Sequence, residues 1–387
     1  MKLICISHWR FPSEKTFAPY IMCMLEAVAR EGVEVELLCP RRRDPALQNV
    51  DPFEYHGIDR TFTIKKLPVI DLMHVLPGTA GFLLMLASFS IVAACYVAMS
   101  SARRNAVLYF FDLRDAWATL LFSRRAFCEV HMYYRSSIDI VNRWGFKRVR
   151  GLMANTTPIL ENIRTTYGVE SNRLIHTPSA VNIKRYALDT SKEDARAALG
   201  LPREGKLIFY AGHLFPVKGV DVLFDAHRFL EPGEVIYFIG GTDTDIAHFR
   251  HKWQEAGRPD SIVIAGRKRN QDIPLWLRAA DILSLPNTAK DTASSLESSP
   301  TKLIEYMASG RPIVASDVPG IRDVLKDGMG YFVEPDNAKA IASAIHEVFA
   351  SPQEAAARVS RARAAAENLS WDARARKVLA FIRSFPQ

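Results

Sequence analysis

The stretch Glu297–Gly320, ESSPTKLIEYMASGRPIVASDVPG, decides how this chain is read. An acid opens it, small polar residues and a proline follow, and apolar residues at helical spacing come next, with Glu305 among them. Ser299 is a good N-cap residue and Pro300 suits a first helical position, so a helix is expected to begin there. Thr301 and Lys302 then fall in its first turn. A lysine at that end opposes the helix dipole, and a bound anion would reconcile it with the free N–H groups of the turn. Gly310 ends the helix, and Arg311-Pro312 leads into the apolar run PIVAS. On the residues alone, Glu297 and Glu305 read equally well as a loop acid and a solvated helix acid in a chain with 42 acidic residues.

Working outward, the second half keeps one rhythm. KLIFYAG, EVIYFIGG, SIVIAG, DILSLP and PIVAS read as strands. KGVDVLFDAHRFL, PLWLRAA and a segment around Ile321–Lys326 read as helices. The first half repeats the pattern, with strands KLICIS, VEVELLC, AVLYFF, AFCEVH, RGLMANT and NRLIHTPS, and a helix from Ala18 to Gly32. Apolar strands alternating with helices predict parallel sheets covered on both faces. A chain of 387 residues is long enough for two such domains. The expected fold is therefore α/β, with two doubly wound Rossmann-like domains over residues 1–185 and 186–369. The polar stretch Tyr186–Gly205 opens the second. Ligands bind such sheets at the carboxyl ends of the strands. There YAGHLFPVKG places Gly212, where a bound group can approach the backbone, and Lys218-Gly219 ahead of a helix, a phosphate site in outline.

Composition narrows the class. Hydrophobic residues make up 48% and charged residues 24%, which fits packed cores rather than a disordered chain. The five cysteines are scattered without paired spacing, so they read as reduced core residues of a cytoplasmic protein, and no metal-ligand motif is present. The apolar run in MKLICISHW is too short for a signal peptide and reads as a first buried strand. A net charge of +8, a pI near 9.2 and the clusters Arg41-Arg42-Arg43, Arg124-Arg125 and RWGFKRVR fit either an anionic partner or a basic solvated surface. No nucleic-acid motif accompanies them, so no nucleic-acid partner is expected. From Leu72 to Ala102 there is no Asp, Glu, Lys or Arg, and Phe82–Met99 approaches transmembrane length. A span would place KLICIS and AVLYFF on opposite sides of a bilayer, although both read as strands of one sheet. A packed or surface helix, or one that docks on a membrane, fits better.

The residues also carry a family resemblance. SSPTKLIEYMASGRPIVASDVPGIRDVL resembles the nucleotide-binding signature of the retaining GT-B glycosyltransferases of family 4, the glycosyl transferases group 1. YAGHLFPVKGVDVLFDA resembles that family's VGRL…KG element, and the two intervening segments match in order and spacing. The likeness covers about Leu207 to Val333. It implies a GT-B fold with an interdomain cleft and a C-terminal tail, residues 370–387, packing back on the first domain. It implies a metal-independent hexosyltransferase that moves a sugar from a nucleotide-diphosphate-sugar donor to a saccharide or lipid-linked acceptor. Anomeric configuration would be retained, and the setting would be surface polysaccharide or glycolipid biosynthesis at the inner face of the cytoplasmic membrane. No cofactor beyond the donor is expected. By resemblance, Glu297 contacts the donor sugar, Glu305 the ribose hydroxyls and Lys218 the diphosphate. Gly212, Thr301 and Lys302 approach the diphosphate, and Arg267 lies in the loop that cradles the base. CEVHMYY resembles the family's E-x-H-D element and makes His131 a candidate on the acceptor side. Two departures stand out. His213 occupies the place where the family usually has arginine, and the family's N-terminal glycine-rich loop is replaced by HWRFPSEKTFAPY. These departures keep open a nucleotide-sugar-binding protein without catalysis; a sugar-nucleotide epimerase of related fold is a further alternative.

Overall fold

The structure is a computed structural model. It describes the chain apart from residues 16, 43–46, 48, 77–78, 101–105, 124, 133–138, 298–300 and 387; of residues 139 and 141 the backbone alone is described. The expected cap Ser299 and helix-starting Pro300 therefore lie outside the described residues, as do Arg43, Arg124 and the two tyrosines of CEVHMYY.

The chain divides into two units. The first comprises Met1–Asn155, Ile159–Thr177 and Trp371–Gln387; the second comprises Thr156–Pro158 and Pro178–Ser370. The first unit is built on β1 (Lys2–Ile6), β2 (Glu34–Pro40), β3 (Thr63–Leu67), β4 (Ala106–Phe110), β5 (Ala126–Val130), β6 (Gly151–Ala154) and β7 (Leu174–His176). These form one parallel sheet in the order β3-β2-β1-β4-β5-β6-β7. Leu3 of β1 lies beside Val35 on one side and Val107 on the other. Alternate residues feed two cores, as strand geometry requires. Leu3, Cys5, Leu37 and Tyr109 pack with the helix Phe17–Arg30 and with Val378, Leu379 and Ile382 of the helix Trp371–Arg383. Ile4, Ile6, Leu108 and Phe110 pack with Met85, Phe89 and Ala93 on the other face.

Those last three belong to the helix Ala80–Met99, which lies within the uncharged segment. One stripe of it, Met85, Phe89, Ala93 and Val97, is buried in the first unit, while Leu83 is 57% and Ile91 50% exposed. Only 39% of its most apolar window is buried, and by length and composition it could cross a membrane. Cys95 is exposed on this helix, which corrects the reading of the cysteines as core residues; Cys5, Cys39 and Cys128 are buried, Cys23 partly so, and all five are free. The helix is apolar on every side, so composition could not tell its buried face from its exposed one.

The second unit holds β8 (Lys206–Ala211), β9 (Glu234–Ile239), β10 (Ile262–Gly266), β11 (Ile282–Leu285), β12 (Ile313–Ser316) and β13 (Tyr331–Val333). They pair in parallel in the order β10-β9-β8-β11-β12-β13. The expected helix after Lys218 is split into Val220–Asp225 and a 3-10 turn, Ala226–Phe229. The helix expected around Ile321–Lys326 is the shorter Pro319–Arg322. In each sheet the strand order reverses once, between β1 and β4 and between β8 and β11. A doubly wound sheet opens a crevice at such a point.

Candidate functional site

At the carboxyl ends of the second sheet the backbone is drawn unusually close. The Gly212 N–H donates to the Ile239 carbonyl at 2.8 Å, and the Gly240 N–H to the Gly266 carbonyl at 2.9 Å. A Cβ on Gly240 would overlap the Gly212 carbonyl oxygen, so glycine is required there. Gly219, at φ +70°, lies against the carbonyl of Pro286, just past β11, where a Cβ would overlap that oxygen. This contact presses the turn Pro216–Lys218 onto the end of β11 and sets Lys218 at the point where the strand order reverses.

Lys302 reaches the same place from the helix Thr301–Ser309. Its Nζ donates to the Tyr210 hydroxyl at 2.8 Å and sits 4.3 Å from the centre of that ring. A Cβ on Gly212 would lie 2.7 Å from the same Nζ. Burial, followed by the charge of Lys218, pushes the Lys302 ammonium down to about 7, with Glu305 opposing. Burial also lowers the pKa of Lys218, against the charge of Asp291. Burial raises the carboxyl of Glu305, one turn along the helix, against the opposing effects of Tyr186, Arg185 and Lys302. Gly212, Lys218, Lys302 and Glu305 are thus brought together. Among the described residues no ion pair holds either lysine. Two lysine amines side by side, neither held in an ion pair among the described residues, form a site for an anion.

Other expected residues stand further out. The His213 side chain is exposed and stacks flat on Phe215, with ring centres 4.9 Å apart, so its backbone rather than its ring faces inward. Arg267 is exposed after Gly266. Thr301 is exposed at the start of its helix. Glu297 is partly buried at the end of a π-helical turn, Ala293–Glu297, which Asn287 anchors by donating to the Ser294 carbonyl at 3.1 Å. Sequence reasoning missed Tyr210, although one signal was available. It shares the strand face of Gly212, two residues on, and carries a hydroxyl in an otherwise apolar run.

In the first unit, His131 follows β5. Its Nε2 lies 3.1 Å from Glu129 Oε2, at ion-pair distance but outside hydrogen-bond geometry. Glu129, 1% exposed, accepts from Arg374 Nη1 at 3.0 Å and Nη2 at 2.9 Å, from Tyr20 at 3.2 Å and from Tyr109. Burial alone would raise this carboxyl; Arg374 and His131 outweigh it and hold the group well below the usual carboxylate range. A second histidine–carboxylate pair was also missed. His8, past β1, has Nδ1 2.8 Å from Asp115 Oδ1, past β4, so the pair spans the point where the first sheet reverses order. Burial works to lower the His8 pKa, but the Asp115 charge and hydrogen bond raise it overall. HWR and FFDLRD carry these residues, yet only the strand order shows that they meet.

Among the described residues, no cluster of three or more His, Cys, Asp and Glu side chains could hold a metal ion. Residues 191–365 match the family described as glycosyl transferases group 1. Lys218, Lys302, Gly212, Gly219, Gly240 and Glu305 all lie within that match. Curated relatives include D-inositol 3-phosphate glycosyltransferases. That of Xylanimonas cellulosilytica is 27% identical over 237 residues, covering 59% of this chain and 55% of the relative. That of Streptomyces avermitilis is 28% identical over 234 residues, covering 57% and 49%. The chain spans about half the length of the curated relatives it matches. Among solved structures, Anabaena Alr3699/HepE in complex with UDP superposes with a TM-score of 0.75 at 17% identity, with both chains fully covered. Sucrose-phosphate synthase from Thermosynechococcus elongatus gives 0.77 at 20% identity, covering 99% of this chain and 98% of that one. At such identities the likeness establishes the fold, the GT-B architecture of two Rossmann-like domains.

Proposed function

We propose that this chain is a glycosyltransferase that moves a sugar from a nucleoside-diphosphate-sugar donor to a saccharide or lipid-linked acceptor, with retention of configuration and without a metal. The observation that supports it is the unpaired couple Lys218 and Lys302 beside Gly212. As the donor breaks, negative charge grows on the diphosphate oxygens. Two fixed cations and the first-turn N–H groups of the lysine helix stabilise that charge more than the ground state. Glu305 is assigned to the ribose hydroxyls, Glu297 to the donor sugar, and the backbone around Arg267 to the base. His131 is assigned to the acceptor side, and retention is checked by the anomeric configuration of the product.

The direct test is thermal stabilisation by UDP, GDP and ADP with and without EDTA. A ligand at about a hundred times its dissociation constant adds about 2.7 kcal/mol. Selective stabilisation that survives EDTA is the expected result. Glu297→Gln should keep that stabilisation and lose at least about 100-fold in turnover, the scale of a lost transition-state contact. Full turnover in this variant removes Glu297 from the site. A second reading, binding without catalysis, draws on His213, an exposed ring stacked on Phe215 where the family usually has arginine. Nucleotide binding with neither transfer nor donor hydrolysis would favour it.

We also propose that the protein works in the cytoplasm against an anionic membrane surface, in polysaccharide or glycolipid synthesis. The support is the exposed apolar side of the helix Ala80–Met99 together with the net charge of +8.

A further inference from the structure

Tyr210 has no assigned role; its ring lies in the core of the second unit, but its hydroxyl is a tie between two elements. Its hydroxyl donates to the His213 carbonyl at 2.7 Å and accepts from Lys302 Nζ at 2.8 Å. One oxygen thus links the loop that begins at Gly212 to the lysine that faces it from another helix. A hydroxyl has one hydrogen and two lone pairs. The bond to His213 uses the hydrogen and points a lone pair at the amine, so the two contacts set each other's direction. Gly212 completes the arrangement, because any side chain there would press on the same Nζ.

We infer that Tyr210 is a positioning residue, whose hydroxyl locks the Gly212–His213 loop and the Lys302 amine into one cradle for the donor diphosphate. The inference rests on the donor reading above and deepens it. A consequence concerns protons. The charged and titratable groups facing Lys302 are Lys218 from the turn after β8, Glu305 from its own helix and Tyr210 from β8. Asp291 and Arg185 stand behind Lys218 and Glu305. Because burial and Lys218 hold the Lys302 amine at about 7, much of it is uncharged in the free protein at pH 8. A diphosphate arriving there favours the ammonium, so the amine takes a proton from solvent as the ligand binds.

The experiment is calorimetric titration of the full chain with UDP and GDP, in two buffers of different ionisation enthalpy, from pH 6 to pH 9. For the nucleotide that binds, the wild type should take up close to one proton at pH 8 and progressively less towards pH 6. Tyr210→Phe keeps the ring under Lys302 and removes only the hydroxyl. It should bind about 3- to 10-fold more weakly, the scale of one net hydrogen bond. Its uptake should also be centred at lower pH, because the amine has lost an acceptor. A purely structural tyrosine would change the melting temperature and leave the uptake profile in place. Lys302→Met should bind without uptake. Unchanged affinity and an unchanged profile in Tyr210→Phe overturn the inference, as does tight binding to the wild type without uptake at pH 8. If neither nucleotide binds the wild type, the donor reading itself fails and this inference falls with it.

Discussion

Gly219 shows how much geometry a single residue can set. Its φ of +70° and its contact with the Pro286 carbonyl leave no room for a Cβ. Gly233, at φ +85° in the same unit, has nothing within 4 Å of the place where a Cβ would stand. Gly233→Ala should therefore cost only about 1 kcal/mol of backbone strain. Gly219→Ala must also displace the end of β11, and should cost about 2 to 4 kcal/mol and weaken nucleotide binding. Urea unfolding of the two variants checks the contrast; equal losses would mean that the contact with Pro286 is slack. At this scale the sequence was informative where chemistry is local. A glycine at a strand end and a lysine in a first helical turn each raise a question on their own. Tyr210 and the His8–Asp115 pair raise none until the strand order is known, because their partners lie 92 and 107 residues away.

Most of the buried strands were readable as apolar runs. Central strands such as KLICI and IFYA are continuous apolar runs with two covered faces. The two strands that went unread, β3 and β13, are edge strands. β3 alternates exposed and covered residues and carries Lys65 and Lys66, while β13 is three residues long. The segment now seen as the helix Trp371–Arg383 was expected, by resemblance, only as a tail returning to the first domain, and its key residue was not expected at all. Arg374 looks like any helix arginine in sequence, and in the structure it is buried against Glu129. Removing one partner of such a pair leaves the other charge buried and unmatched. Arg374→Met should therefore destabilise the protein by about 3 kcal/mol, and the double variant with Glu129→Gln should recover part of that. The pH dependence has a definite sign. Glu129 titrates lower in the fold than in the unfolded chain, where its value is near 4.5. Its contribution is present above that pH and fades as the pH falls towards the folded value. Arg374→Met should consequently lose less stability between pH 5 and pH 3 than the wild type does. An identical acid profile in denaturant titrations would contradict the assignment.

At the scale of the molecule, the doubly wound pattern of both sheets could be read from the alternation of apolar runs and helices, whereas the return of the C-terminal tail to the first unit was expected only from the family resemblance. The distribution of exposed apolar residues is equally invisible in composition. Of the large hydrophobic side chains exposed among the described residues, all but Phe215, Val217 and Phe229 belong to the first unit, and several lie between Ile70 and Met99. Patches of that kind mark contact surfaces. If the contact is with anionic lipid, the protein should sediment with phosphatidylglycerol vesicles at low salt and release at high salt. Leu83→Asp with Ile91→Asp should abolish sedimentation while leaving nucleotide stabilisation intact. Sedimentation that survives both changes would point to another surface. One consequence of the chain path concerns timing rather than energy. The first unit needs Trp371–Gln387 to cover Leu3, Cys5 and Tyr109 and to neutralise Glu129, yet that segment leaves the ribosome only after every residue of the second unit. The part of the chain made first is thus the part finished last. A synthesis halted anywhere in the second unit releases a protein whose opening half has an uncovered core.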